Sequence, residues 1–342
     1  MTDMADLLLA WYDAEKRVMP WRGIHDPYRT WVSEIMLQQT RVDTVRDYYT
    51  RFITAFPDVF ALAEADEADV LKMWEGLGYY SRARNLQEGA RQVAERFGGI
   101  LPSDPSVLAS IRGIGPYTAG AIAAIAYDVP AAAVDGNVIR VISRFSGIRE
   151  DPTVPSVRAL IEKTVLALMN RKRPGDFDQA LMDLGATVCV PGTPDCDRCP
   201  LRDLCNAYAA GDAQDLPLLP AKAPPRVKPY DVCVVLSGSR VLLRQRTEKL
   251  LNGMYVFWMR EGHSDIRKLR DVLAGQFAAV PLSVDCRESA KHVFTHLVWD
   301  MNLYLVTLPP DLSAPAGYLF VNKDELDRYP VPVAMKAARR LL

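Results

Sequence analysis

Apolar positions recur at three- and four-residue intervals through the first two-thirds of the chain and at alternate positions through the last third. Residues 3–17 read as a helix with Leu7, Leu8, Trp11 and Tyr12 as its apolar side. Met19-Pro20-Trp21-Arg22 breaks it, and Asp26-Pro27 starts a second, with Asp as cap and Pro in the first turn. On that second helix Val32, Ile35, Met36 and Gln39 share one face, and Glu34, Gln38 and Arg41 share another. The spacing predicts further helices at about 41–55, 59–63 and 66–74, one ending near Phe97, and others at about 118–127, 154–170 and 176–188. Val138, Ile139, Val141, Ile142 and Phe145 predict one more after Asn137. From Ala209 to Pro229 the composition turns to Gly, Asp, Pro, Ala and Lys, which reads as an extended linker. Beyond it, strands are predicted at 232–236, 241–244, 255–258 and 298–308, with helices at about 264–274 and 332–342.

Four stretches carry candidate chemistry. Ile111-Arg112-Gly113-Ile114-Gly115-Pro116-Tyr117 is a glycine turn leading into a small-residue helix. Pro116 suits the first helical position, and the free N–H groups behind the turn offer an anion site, such as for a DNA phosphate. Read alone, Gly-x-Gly is equally an ordinary tight turn. Val134-Asp135-Gly136-Asn137 has no alternating strands around it, so Asp135 reads as a helix cap, its carboxylate held ionised by the helix end. Glu34 lies beside Ile35, Met36 and Leu37. If that helix lines a cleft, burial raises its carboxyl pKa and leaves a proton to donate near neutrality. Gly76-Leu77-Gly78-Tyr79-Tyr80 precedes Arg82 and Arg84, an aromatic and basic pairing suited either to wedging between bases or to a core with exposed arginines.

Composition narrows the picture only a little. With 342 residues, 49% hydrophobic and 24% charged, the chain is a globular protein of two or three domains. A net charge of −1 gives no overall pull toward nucleic acid, although arginines gather locally, as at 41, 46 and 51. No basic and apolar leader opens the sequence, and its longest uncharged run, Gly113–Tyr127, is too short to span a bilayer. A cytoplasmic protein without a membrane segment is expected, its six cysteines being thiols or metal ligands. Cys189, Cys196, Cys199 and Cys205 fall within seventeen residues. Four soft thiolates so spaced select zinc or an iron–sulfur cluster. Cys233 and Cys286 read as small buried residues.

The last third was tested against the hydrolytic pattern Gly-x5-Glu-x7-Arg-Glu-x2-Glu-Glu. Counting from Gly253, Gly238 and Gly262, the first Glu position holds Met259, Arg244 and Lys268, so no pyrophosphatase is expected. His292 and His296 lie roughly 13 Å apart on an extended strand, too far to share one ion without a bend. They are expected in a loop or strand pair touching DNA.

Glu34, Leu37-Gln38-Gln39-Thr40, Gly76-Leu77-Gly78-Tyr79-Tyr80, Gly113-x-Gly115, Val134-Asp135-Gly136-Asn137 and the cysteine spacing together resemble the helix-hairpin-helix DNA glycosylases, in particular the MutY-type adenine DNA glycosylases. The resemblance covers nearly the whole chain. It implies an all-α helix-hairpin-helix glycosylase domain over 1–208, made of a six-helix subdomain at about 20–128 and a cluster subdomain from about 1–19 and 129–208. A linker at 209–229 and a C-terminal α+β Nudix-like domain at 230–342 follow. It also implies a 4Fe–4S cluster on Cys189, Cys196, Cys199 and Cys205, and a monomer acting in the cytoplasm, nucleoid-associated in a bacterium.

The implied substrate is double-stranded DNA carrying adenine opposite 8-oxoguanine or guanine. Carried over by motif, Glu34 protonates adenine, Asp135 stabilises the sugar cation, Asn137 orients them and Tyr117 flanks the sugar. Trp21, Arg22, Leu37, Val42 and Gln179 match the adenine pocket. Gln38, Gln39, Tyr79, Arg82, Arg84, Gly113 and Gly115 match DNA-contacting positions, with Gln39 and Tyr79 intercalating. Thr295 and His296 fall in an 8-oxoguanine-reading motif. Tyr117 stands where lyase relatives carry Lys, so base removal without strand cutting is implied. Arg112 replaces a common Pro, Gln179 a Glu, and Thr295 a Ser. Two other readings stay open: an endonuclease III-like glycosylase on damaged pyrimidines, and a non-catalytic iron–sulfur DNA-binding protein.

Overall fold

A computed structural model describes residues 3–220 and 223–342. Two compact units emerge: Met1–Ala65 with Asn85–Ala221, and Asp66–Arg84 with Lys222–Leu342. The segment 66–84, read from the sequence as part of the helical domain, therefore clusters with the C-terminal unit.

The helical unit opens with α1 (Met4–Glu15), α2 (Pro27–Leu37), α3 (Val42–Ala55) and α4 (Val59–Glu64). After α5 (Glu67–Met73) of the other unit, α6 (Ser81–Phe97) returns the chain to it. There follow α7 (Pro105–Leu108), α8 (Pro116–Tyr127), α9 (Gly136–Ser146), α10 (Pro155–Leu168), α11 (Pro174–Thr187) and α12 (Asn206–Ala210). Side-chain caps explain several starts: Asp26 Oδ1 accepts from Arg29 N at 2.9 Å, and Asp58 Oδ1 from Ala61 N at 2.8 Å. One hydrophobic core joins α1 to α9, α10 and α11 through Leu8, Tyr12, Val138, Ile142, Val165, Phe177 and Leu181. The chain's first helix thus packs with its later ones. α8 can lie close to its neighbours because it is built of small residues. A Cβ at Gly120 would collide with the carbonyl of Ala132.

The C-terminal unit is a sheet of β1 (Arg226–Ser237), β2 (Arg240–Gln245), β3 (Tyr255–Val256), β4 (Trp258–Glu261), β5 (Ser283–Val293), β6 (Leu297–Leu308) and β7 (Leu319–Asn322), with α13 (Ile266–Phe277) and α14 (Lys336–Arg339). Strand order is β3-β2-β1-β6-β5, with β4 also on β1 and β7 on β2. β1 and β6 run parallel, Val232 facing Leu303 and Cys233 facing Tyr304. Val232 and Val234 enter one core with Trp299, Leu303 and Met335. Cys233 and Val235 enter the other with Leu269, Leu273 and Val306. Both faces are covered, which is why the strand reads as an unbroken apolar run.

Three expectations change. β1 begins at Arg226 and pairs Pro229 with Asp300, so the linker ends earlier than 229. At its other end α12 and a 3-10 turn at Ala213–Asp215 replace extended chain. β5 was not foreseen because it is an edge strand: of its eleven residues only Val284 is buried, and the rest give no apolar alternation. The helix expected at 332–342 is two short pieces, a 3-10 turn at Val333–Met335 and α14. Among the described residues no helix is long and apolar enough to cross a membrane.

Gly120→Ala is expected to cost about 1–3 kcal/mol through overpacking against fixed backbone. A urea midpoint that falls with an unchanged m-value checks it.

Candidate active site

The site is assembled where α2, α8, α9 and α11 meet. α2 carries Glu34 at the centre of a buried run from Thr30 to Met36, and Glu34 is only 5% exposed. α8 packs across it and presents Tyr117 from its first turn; the phenol O–H donates to Glu34 Oε2 and lies 3.7 Å from Met182 Sδ on α11. Burial pushes the Glu34 carboxyl up to about 7, with Asp135 adding to the rise, while the Tyr117 bond and Arg22 pull the other way. Burial and the neighbouring carboxyls raise the Tyr117 phenol well above its usual range, so it stays a donor.

Asp135 caps α9. Its Oδ1 accepts from Val138 N at 2.7 Å and its Oδ2 from Asn137 Nδ2 at 2.9 Å. Arg140 then holds Asn137, donating from Nη2 to Asn137 Oδ1 at 2.9 Å and to Gly185 O at 2.6 Å, and from Nε to Cys189 O at 2.7 Å. Gly185 is needed there, because a Cβ would sit 2.6 Å from Asn137 Cβ. The cap was expected to keep Asp135 low. Instead its carboxyl moves above the usual range, since burial outweighs the bonds from Val138 and Asn137 and the charge of Arg140. Helix ends and hydrogen bonds oppose desolvation here without overcoming it.

Trp21, Arg22, Leu37, Val42 and Gln179 line one cavity of about 60 Å³ with Glu34. All five were candidates for the base pocket. Arg17, Met19, Ser33, Met182 and Asp183 line it too and were not foreseen. The sequence signal for Asp183 was its place one helical turn after Gln179. The cavity shares Arg17, Glu34, Leu37, Val42 and Met182 with an open groove of about 870 Å³, which also takes in Gln38, Gln39, Arg41, Arg46, Tyr117, Asp135, Asn137 and Arg158. Gln39 is exposed on the rim with φ 58°, a left-handed conformation uncommon outside glycine. Gln38 Nε2 reaches Thr118 Oγ1 at 3.4 Å.

In the hairpin, Gly113 has φ 83° and backs onto Asn85, while Gly115 is extended, caps α8 and has open space where a Cβ would be. A third carboxyl was missed: Asp178, fully buried on α11, accepts from Ala133 N at 3.1 Å with Oδ2, and Oδ1 has no hydrogen-bond partner among the described residues. Burial drives its carboxyl well above the usual range, and Glu34 and Asp135 push it the same way.

Within the C-terminal unit, Tyr79 is exposed with φ 48°. Thr295 and His296 form the exposed turn between β5 and β6, closed by Phe294 N to Leu297 O at 2.7 Å. Tyr79 Oη and Thr295 Oγ1 are 2.7 Å apart on a cavity of about 520 Å³ that His292, Phe294 and Leu251 also line. Arg82 and Arg84 are not the exposed phosphate ligands expected. Arg82 is turned inward, donating from Nη2 to Gly78 O at 3.2 Å and stacking on Trp74 and Tyr79. Arg84 is paired with Glu67 at 2.7 Å and donates to Asn252 O. Arg82 thereby braces the Tyr79 turn.

The four clustered cysteines line one small cavity after α11, with Arg144 beside them. Arg144 Nη1 is 3.4 Å from Cys189 Sγ and 2.8 Å from Val190 O. Burial, with the other three cysteines adding to it, pushes the Cys199 thiol up to about 12. Among the described residues no group of three or more His, Cys, Asp or Glu side chains is placed to hold a metal ion. The thiols ring a common space without closing on a single centre.

Against known proteins, residues 32–166 match the HhH-GPD superfamily base excision DNA repair protein family, and residues 231–340 match the NUDIX domain. The helical part has the fold of a thermostable thymine-DNA glycosylase, at 28% identity and TM-score 0.55 over 60% of this chain and 95% of that one. It also has the fold of endonuclease III in a non-covalent DNA complex, at 22% identity and TM-score 0.52 over 60% and 94%. The chain is thus a helix-hairpin-helix DNA glycosylase with a C-terminal Nudix-like domain. A mouse adenine DNA glycosylase is 36% identical over 99% of this chain and 79% of its own length, and a human one 34% identical over 98% and 73%. The chain belongs to the adenine DNA glycosylase family.

Glu34 binds a proton in the folded state that it releases near pH 4.5 when unfolded. Its share of stability is therefore present below about 4.5 and is lost as pH rises through about 7. On the order of 3 kcal/mol is at stake. Wild type is expected to lose stability relative to Glu34→Gln across that window; chemical denaturation at a series of pH values measures it.

Proposed function

We propose that the protein removes adenine from duplex DNA by hydrolysing its N-glycosidic bond, the adenine lying opposite 8-oxoguanine or guanine. The observation that carries this reading is the pair of Glu34 and Asp135, one buried under a tyrosine and one capping a helix, on a single groove that shares Glu34, Leu37 and Val42 with the small cavity walled by Trp21 and Arg22. An adenine must first leave the stack. Glu34, protonated near neutrality, gives its proton to the ring and makes it a leaving group. As the bond opens the sugar becomes cationic, and the Asp135 carboxylate beside it stabilises that charge. Asn137 and Val138 hold the carboxylate in place, and water completes the hydrolysis. Tyr117 keeps the departing proton on the Glu34 oxygen that faces away from it and has no amine for a Schiff base.

Other assignments follow the same reading. Gln39 and Tyr79, both held at positive φ, fill the space an extruded base leaves. Gly113 and Gly115 receive a phosphate at the start of α8. Thr295 and His296, on their exposed turn, meet the opposite base. The protein acts as a monomer in the cytoplasm, on the chromosome. Cys189, Cys196, Cys199 and Cys205 would hold a 4Fe–4S cluster, whose bound charge offsets the four crowded thiolates and fixes the loop after α11. Four soft thiolates lining one cavity fit such a group.

Single-turnover assays on A·8-oxoguanine duplexes test this directly. Wild type is expected to release adenine, and Glu34→Gln to be slower by about 10²–10⁴-fold. Borohydride is expected to trap no wild-type DNA adduct. Release of oxidised pyrimidines in place of adenine would refute the reading. The purified protein is expected to be brown and to contain iron; a colourless zinc protein overturns the cluster assignment.

A further inference from the structure

Behind the base cavity a single carboxylate carries two guanidinium groups. Asp183, on α11, has a side chain only 1% exposed. Its Oδ1 accepts from Arg17 Nε at 3.0 Å, Arg17 Nη2 at 2.5 Å and Arg22 Nη2 at 3.2 Å. Its Oδ2 accepts from Arg22 Nη1 at 2.6 Å and from the Arg17 backbone N at 3.3 Å. Both arginines belong to the loop between α1 and α2 that also supplies Met19 and Trp21 to the cavity wall. One buried group on α11 therefore ties that loop to the helix that carries Gln179.

The chain of contacts continues to the base cavity. Arg22 Nε donates to Gln179 Oε1 at 3.2 Å, and Gln179 Nε2 donates to Gly175 O at 3.1 Å. A guanidinium has donors only, so the side-chain amide is forced to turn its oxygen to Arg22 and its nitrogen to the carbonyl. The amide cannot flip without facing donor to donor and acceptor to acceptor. Arg22 is itself held by Asp183, by the carbonyl of Arg17 at 2.9 Å and by the ring of Tyr12. Two cations share one carboxylate, so the assembly keeps one net positive charge beside the cavity.

We propose that Asp183 is a positioning residue that sets base selectivity: through Arg22 it fixes the acceptor and donor of Gln179 toward the cavity, and through Arg17 it fixes the loop wall opposite. The inference rests on the proposed removal of adenine. With the amide locked, the oxygen's second lone pair and the second N–H meet only a base edge with a donor beside an acceptor. A purine with a carbonyl in place of the exocyclic amine brings acceptor against acceptor. Loss of the anion frees both arginines, the amide rotates, and the distinction between the two bases fades.

The test compares single-turnover release of adenine and of hypoxanthine, each opposite 8-oxoguanine, by wild type, Asp183→Asn, Gln179→Ala and the double variant. Near-coincident circular dichroism and equal binding to an abasic-analogue duplex establish that each variant is folded. Asp183→Asn is expected to lower adenine release about tenfold or more and to shrink the adenine-to-hypoxanthine ratio to that of Gln179→Ala. The double variant is expected to discriminate no worse than Gln179→Ala, because the two residues act as one unit. If Asp183→Asn does not fold, Arg22→Lys, which keeps the charge but loses the Nε bond, is expected to shrink the ratio alone. A wild-type ratio in Asp183→Asn, or in Arg22→Lys, overturns the proposal while leaving adenine removal intact. Failure of wild type to release adenine from any duplex overturns the proposed function and this inference together.

Discussion

A carboxyl group buried under a tyrosine at the floor of a cleft is costly to ionise, and the arrangement of the helical unit follows from that. Glu34 is only 5% exposed. α2 surrounds it with its own apolar neighbours, α8 covers it with Tyr117, and the donor O–H satisfies only one of its oxygens. Desolvation dominates its titration. The small residues of α8 bring that helix close, and the capped start of α9 brings Asp135 to the same groove. Each of these is a packing decision with a chemical consequence.

The second carboxyl shows how far local structure can shift a charge. A helix end, two hydrogen bonds and a nearby guanidinium all favour the Asp135 anion, yet burial moves it up as well. What separates the two groups is the number of partners. Asp135 has Val138, Asn137 and Arg140 on its side, whereas Glu34 has one phenol and a distant arginine. Burial raises both carboxyls, Glu34 to about 7. A developing cation on the sugar favours the group whose anion is already solvated by the protein. The electrostatic asymmetry is thus conditional on the reaction, and it lies in hydrogen bonds that a sequence does not display.

Much of this was legible beforehand. The helices announced themselves by spacing and by caps such as Asp26 and Asp135, and one cavity gathers the five residues expected together. The unread parts share one cause, dependence on a partner that no sequence pattern names. β5 is an edge strand whose polarity hides it until β6 is beside it. Arg82 and Arg84 looked like surface cations because nothing local told that Gly78 and Glu67 would hold them. Arg17 and Asp183 lie 166 positions apart and have no motif in common. Asp178 betrays itself only by its surroundings, since an aspartate in a helix is ordinarily exposed.

The central claim is that Glu34 keeps its proton near neutrality. Carbon-13 NMR of the protein with labelled glutamate carboxyls, with Glu34→Gln to assign the resonance, reads that proton directly. The account requires the Glu34 signal to titrate with a midpoint near 7. A midpoint near 4.5, the ordinary value for a solvated glutamate, would contradict it.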